Sequence, residues 1–131
     1  MEETKPKILL AEDEEPLREL YRMRFEVEDF DVIFAKDGEE ALLRTRQEKP
    51  DVILLDIMMP KKSGMEVLKE LKEDPSTSNI PVIMLTVLSN EKIKQEALEL
   101  GAEYLVKVQV QPKEVVDFIK RKIEFMRKDK Q

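Results

Sequence analysis

The sequence predicts an α/β domain built on a parallel sheet, and three observations carry that prediction. Five short apolar runs with strand character alternate with five amphipathic stretches. The middle run, Val52-Ile53-Leu54-Leu55, is apolar at every position, as a strand buried on both faces must be. The connections are short, with no linker or low-complexity segment between units. Repeated βα units joined in this way imply right-handed crossovers and helices on both sides of the sheet.

Lys7 to Ala11 reads as the first strand, ending at Glu12-Asp13. Pro16 falls in the first turn of the following helix, where its missing N–H does no harm. Leu17, Leu20, Tyr21 and Val27 are expected to form the buried face of that helix. Asp31 to Ala35 is the second strand, and Asp37 caps a second helix that buries Ala41, Leu42 and Thr45 on its way to Pro50. The third strand lies between Asp51 and Asp56. Ser63 caps a third helix carrying Val67, Leu68 and Leu71, which Asp74-Pro75 ends. Pro81 to Leu85 is the fourth strand, reaching Thr86. Asn90 caps a fourth helix holding Ile93, Ala97 and Leu100, closed by Gly101 in a left-handed conformation. Tyr104 to Lys107 is a short fifth strand, and the last helix starts at Pro112 and uses Val115, Val116, Ile119, Ile123 and Met126.

The 131 residues are read as a single domain, with a core over about 6–127 and charged, fraying ends at 1–5 and 128–131. There is no cysteine and no histidine, which excludes disulfides, thiolate or imidazole metal sites and Cys–His or Ser–His nucleophiles. Any metal chemistry must therefore use a hard cation on oxygen ligands. No apolar run approaches the ~20 residues of a membrane span. The charged start without a signal-peptide core leads to the expectation of a soluble cytoplasmic protein. A net charge of -6, from 23 basic and 29 acidic residues, argues against a direct nucleic-acid binder.

In open parallel sheets ligands bind outside the carboxyl ends of the strands. The polar groups expected there are Glu12, Asp13, Asp56, Thr86 and Lys107. Taken alone, Asp56 could simply mark the exit of a core strand, but the chemistry of its neighbours points further. Carboxylates brought this close either raise a pKa or recruit a divalent cation, and Lys107 is the only evident local cation. Two readings stay open: magnesium on the carboxylates, or a Lys–Asp pair with protonated neighbours. With a hydroxyl from Thr86 and an ammonium from Lys107, the former arrangement suits neutralisation of a phosphoryl group in transfer to Asp56. None of the three glycines forms a phosphate-cradling loop, so the phosphoryl group must arrive on a donor.

Five signals in order give the chain its resemblance to a family: Glu12-Asp13, Asp56 followed by Met58-Met59-Pro60 and Gly64, Thr86, Tyr104, and Lys107. Over essentially its whole length the chain resembles the receiver domain of two-component response regulators. The resemblance implies a flavodoxin-like doubly wound fold with strand order 2-1-3-4-5. It implies that Asp56 accepts a phosphoryl group from a sensor histidine kinase or phosphotransfer protein. Asp13 would ligate Mg2+ directly, Glu12 through a metal-bound water, and Asp56 and the Met58 carbonyl would complete the protein ligands. Thr86 and Lys107 would grip the phosphoryl oxygens. Thr86 and Tyr104 would act as the switch that reshapes the face of the fourth helix, fifth strand and fifth helix for a downstream partner. Tyr104 can also be read as a half-buried aromatic with a solvated hydroxyl. Such a protein is not an enzyme beyond catalysing its own phosphorylation and dephosphorylation. A receiver-like module that is never phosphorylated, and a small flavodoxin-like cofactor binder, are the alternatives. The acids Glu12 to Glu15 disfavour the second because they would repel a flavin phosphate.

Departures from the family pattern add expectations. Val108 follows Lys107 where the family usually has proline, so a trans bond or an altered loop is expected there. Val87 stands where the family prefers a smaller residue. Met58 and Leu88, two residues beyond Asp56 and Thr86, are where the family tunes attack by water. Both are apolar and predict slow self-dephosphorylation, although they can equally serve as rim packing. Phe118 and Phe125 lie one heptad apart, off the core stripe of the last helix. They are read either as a partner or phosphorylation-linked homodimer surface or as an overwide core stripe. No effector segment follows the last helix in these 131 residues: if they are the whole protein, it is expected to act by docking on a target or passing its phosphoryl group on, and if they are a piece of a longer one, the output lies outside them.

Overall fold

The computed structural model describes residues 4–87 and 90–129. Its elements run β1 (Lys7–Ala11), α1 (Glu15–Val27), β2 (Asp31–Ala35), α2 (Gly38–Glu48), β3 (Val52–Leu55) and α3 (Gly64–Glu73). They continue with β4 (Val82–Thr86), α4 (Glu91–Glu99), β5 (Glu103–Val106), a 3-10 turn (Lys107–Gln109) and α5 (Pro112–Asp129). The strands form one sheet in the order β2-β1-β3-β4-β5, with every pairing parallel. The expected class, strand order and number of βα units are thus observed.

Alternation along the strands divides the core into two layers. Leu9, Ala11, Ile53, Leu55, Val82 and Met84 face α2, α3 and α4, meeting Ala41, Leu42, Val67, Leu68, Leu71 and Ala97. Ile8, Leu10, Val52, Leu54, Ile83 and Leu85 face α1 and α5, meeting Tyr21, Phe25, Val115, Val116, Ile119 and Ile123. A sheet covered on both sides needs such apolar runs, which explains why β3 and β4 are buried at every position.

The caps explain the helix starts. The Asp37 carboxylate accepts from the Glu40 N–H at 2.8 Å, and Asn90 accepts from Ile93 at 3.1 Å. Ser63 and Glu66 form a reciprocal capping box at the start of α3. α4 ends in a Schellman motif, with the Gly101 N–H on the Leu98 carbonyl and the Ala102 N–H on that of Ala97. α1 ends in the same way through Asp29, whose N–H reaches Glu26 while that of Phe30 reaches Phe25.

Two expectations need correction. The buried face of α1 is not Leu17, Leu20, Tyr21 and Val27: Tyr21 and Phe25 are buried, Leu17 is partly buried, and Leu20 and Val27 are exposed. The i, i+4 series through the two large rings wins, because aromatic rings carry more apolar surface than the aliphatic side chains one and two positions away. Phe25 packs against Phe30 at 5.2 Å between centroids, anchoring the helix at that angle. β5 lies one residue earlier than expected, and Lys107 opens the 3-10 turn instead of closing the strand. No peptide bond among the described residues is cis, so the Lys107–Val108 bond is trans. No helix among the described residues is long and apolar enough to cross a membrane.

Candidate phosphoryl-acceptor site

The sheet order reverses between β1 and β3, and both strands end there in acids. Ala11 pairs with Leu55 and Leu55 with Met84, so these strands finish at one level. The Asp56 N–H extends the ladder to the Ala11 carbonyl at 3.1 Å, and the Glu12 N–H does the same to Ala35 at 3.0 Å. Glu12 and Asp56 are therefore fixed by sheet hydrogen bonds one residue past their strands. Asp13 follows on the exposed start of the loop. One carboxylate oxygen from each of Glu12, Asp13 and Asp56 lies within 4.8 Å of the others.

Lys107 reaches into this cluster from beyond β5. Its Nζ donates to Glu12 Oε1 at 2.7 Å and to Asp56 Oδ2 at 3.0 Å. The remaining oxygens are also held: the Glu14 N–H donates to Glu12 Oε2 at 3.2 Å, and the Met58 N–H to Asp56 Oδ1 at 3.2 Å. Burial raises the pKa of Glu12, assisted by the charge of Asp56 and opposed by Lys107. Burial also pulls the Lys107 ammonium down, but its two carboxylate partners outweigh that and raise it overall. The lysine is thus held protonated among acids that repel one another. Thr86 ends β4 fully buried beside this edge, paired in register with Val106 just before Lys107.

The turn after Asp56 is shaped by Gly64. A Cβ on Gly64 would lie 2.2 Å from the Asp56 carbonyl oxygen, and the Gly64 N–H donates to the Ile57 carbonyl at 2.8 Å. Only glycine lets α3 approach the backbone of Asp56 this closely. Arg18, a residue with no sequence signal for the site, donates from Nη1 to the Glu12 carbonyl at 2.8 Å and ties α1 to the acidic turn. An arginine six residues beyond Glu12 has the reach, but a bond to a backbone carbonyl leaves no pattern in the sequence.

The other expected residues fall into place less centrally. Met58 is exposed at the rim, and Leu88 lies outside the described residues. Val87, which stands where the family prefers a smaller residue, is exposed. Tyr104 is partly buried on β5 against the α4 side of the core, and burial together with the charge of Glu91 raises its pKa. Phe118 packs half-buried against the α1–α5 layer, whereas Phe125 is exposed. The two rings do not share one exposed surface.

A buried carboxylate at the switch in strand order, flanked by two further acids and a lysine, defines a phosphoacceptor domain with an acidic cluster suited to a divalent metal. Residues 8–120 match the response regulator receiver domain family, and the chain belongs to that family. It is 43% identical over 109 residues to the alkaline phosphatase synthesis transcriptional regulatory protein PhoP of Bacillus subtilis, covering 83% of this chain and 45% of that protein. The Francisella response regulator 1452 receiver domain superposes with a TM-score of 0.81 at 34% identity, covering 95% of this chain and 99% of that one. The Mn(2+)-bound form of response regulator Rcp1 gives a TM-score of 0.73 at 36% identity, covering 78% and 81%. The chain spans 43% to 45% of the length of the first curated relatives it matches.

Proposed function

We propose that Asp56 accepts a phosphoryl group from a histidine kinase or phosphotransfer protein with Mg2+, and that the modification controls a partner protein. The observation that carries this reading is Asp56 itself, 6% exposed at the strand switch with Lys107 Nζ 3.0 Å from Oδ2. An Asp56 carboxylate oxygen attacks phosphorus, forming the acyl–phosphate bond as the P–N bond of the donor phosphoimidazole breaks. The imidazole leaves with that electron pair and regains its proton from solvent.

Glu12, Asp13, Asp56 and the Met58 carbonyl would hold the ion. Their fit rests on the donor set: carboxylate oxygens clustered within 4.8 Å, in a chain with no histidine or cysteine. Similarity to a manganese-bound receiver protein supports the same class of ion. When bound, Mg2+ supplies positive charge against the phosphoryl oxygens. Lys107 exchanges its carboxylate partners for a phosphoryl oxygen, and the Thr86 hydroxyl donates to another. Movement of Thr86 and Tyr104 then reshapes the α4–β5–α5 face toward the downstream partner. The exposed methionine Met58 offers no hydrogen bond to an attacking water, which supports a long-lived acyl phosphate; Leu88 is proposed to act with it. A cytoplasmic location goes with this reading, because a kinase draws its phosphoryl group from ATP.

Incubation with phosphoramidate and Mg2+, followed by intact-mass analysis, tests the reading. One phosphoryl group should add to the protein, and none to Asp56→Asn or without the ion. Folded protein that gains no mass would reject it. Loss of the group within seconds in the isolated protein would reject the slow hydrolysis.

A further inference from the structure

The loop that follows Asp56 contains a strained turn centred on a residue unsuited to it. Lys61 adopts φ 68°, and across it the Lys62 N–H donates to the Pro60 carbonyl at 2.8 Å. A three-residue turn with positive φ at its centre is rare and strained, and lysine has no conformational ease there. Such strain persists only where the surroundings over-determine it. Here the surroundings are the first turn of α2. The Gly38 N–H donates to the same Pro60 carbonyl at 3.3 Å, and the Lys61 ammonium lies 3.7 Å from the buried Asp37 carboxylate that caps α2. A Cβ on Gly38 would stand 2.2 Å from the Lys62 carbonyl oxygen and 2.5 Å from the Lys62 Cβ, so the two backbones meet only because residue 38 has no side chain. On the other side of the turn, the Lys62 ammonium pairs with Glu70 of α3.

Met58 lies two residues before Pro60, and its N–H donates to Asp56 Oδ1 at 3.2 Å. Glu12 and Asp56 owe their positions to the sheet, through N–H bonds to Ala35 at 3.0 Å and Ala11 at 3.1 Å. A main-chain carbonyl on a loop has no such frame and takes its direction from the peptides on either side of it. The contact of Pro60 and Lys62 with Gly38 joins that stretch of loop to a helix. Small displacements matter for the ion concerned, because Mg2+ demands near-ideal octahedral geometry at about 2.0–2.1 Å. Ca2+ accepts irregular geometry at about 2.3–2.6 Å. A loop that shifts should therefore be felt more by the smaller ion.

We propose that Gly38 is a positioning residue for the Mg2+ site: it lets the first turn of α2 hold the strained turn at Lys61, which fixes the Met58 carbonyl as a ligand. The proposal rests on the reading of Met58 as a metal ligand. Calorimetric titration of the full chain with Mg2+ and, separately, with Ca2+ tests it. Gly38→Ala drives a methyl group into the Lys62 backbone and should raise the Mg2+ Kd by at least about tenfold, as expected when a group that orients a metal ligand is disturbed. The Ca2+ Kd should rise less. Lys61→Pro, at an exposed position across the same contact, cannot adopt a positive φ and should have the same effect without touching α2. It also carries the test should Gly38→Ala fail to fold. Thr45→Gly, two turns further along α2, should lower Tm and leave both Kd values unchanged. An unchanged Mg2+ Kd in the folded Gly38 and Lys61 variants overturns the proposal, as does an equal rise in Thr45→Gly or an equal loss of Mg2+ and Ca2+. A wild type that binds no Mg2+ defeats the metal site and the proposal together, whereas normal wild-type binding with indifferent variants defeats the positioning alone.

Discussion

Tyr21 shows how far the acidic site extends into the core. Its hydroxyl is pushed up to about 12 from 10.0, chiefly by burial, with the charge of Lys107 opposing and that of Glu12 adding. An unfolded tyrosine ionises near pH 10 while the folded one keeps its proton, so between pH 10 and about 12 the native state binds more protons and stability falls as pH rises. Tyr21→Phe removes that slope. Urea unfolding across this window should show the wild type losing about 2 to 3 kcal/mol more than the variant. Equal losses would remove the tyrosine from the balance. Gly64 makes a second prediction at this scale. Gly64→Ala forces a methyl group onto the Asp56 carbonyl and should cost about 1–3 kcal/mol. It should also slow labelling of Asp56 more than it slows labelling in a variant of equal stability loss elsewhere. The acids and Lys107 were legible in the sequence because charged groups at the ends of apolar runs need partners. Arg18 was not, since its partner is a main-chain oxygen that every residue carries.

The elements were legible where one residue decides the conformation. Ser63, Asp37 and Asn90 cap the helices assigned to them, and Gly101 closes α4 with φ 88°. Asp29 holds the equivalent left-handed position after α1 with φ 63°, a conformation aspartate visits only occasionally, so it is a weaker stop signal than glycine. The two motifs therefore make opposite predictions. Asp29→Gly should stabilise the protein by about 0.5–1 kcal/mol, and Gly101→Ala should destabilise it by a similar amount or more. Chemical denaturation of both variants checks the pair; matching signs would contradict the shared geometry. The face of α1 was misjudged because Leu20 and Val27 are as apolar as a core residue. Only packing against Phe30 and β-strand neighbours selects the Tyr21–Phe25 side.

For the whole molecule, the alternation of strands and helices dictates the two-layered core, whereas the strand order came from the resemblance and not from any residue pattern. Five strands of this kind can be ordered in several ways. The order observed brings Glu12 and Asp56 together from strands 44 residues apart in chain, counted from position 12 to position 56. Ion binding should then couple to folding. At a hundred times its Kd, Mg2+ should stabilise the native state by about 2.7 kcal/mol, read as a rise in Tm. Asp13→Asn, at an exposed position, should fold normally and lose most of that rise. The location of the transferred group tests the account most directly. Borohydride reduction of the phosphorylated protein converts an aspartyl phosphate to homoserine, and peptide mass mapping then finds it. Homoserine at position 56 alone is the predicted result; reduction at Glu12 or Asp13, or at no acid in the labelled protein, would contradict the account.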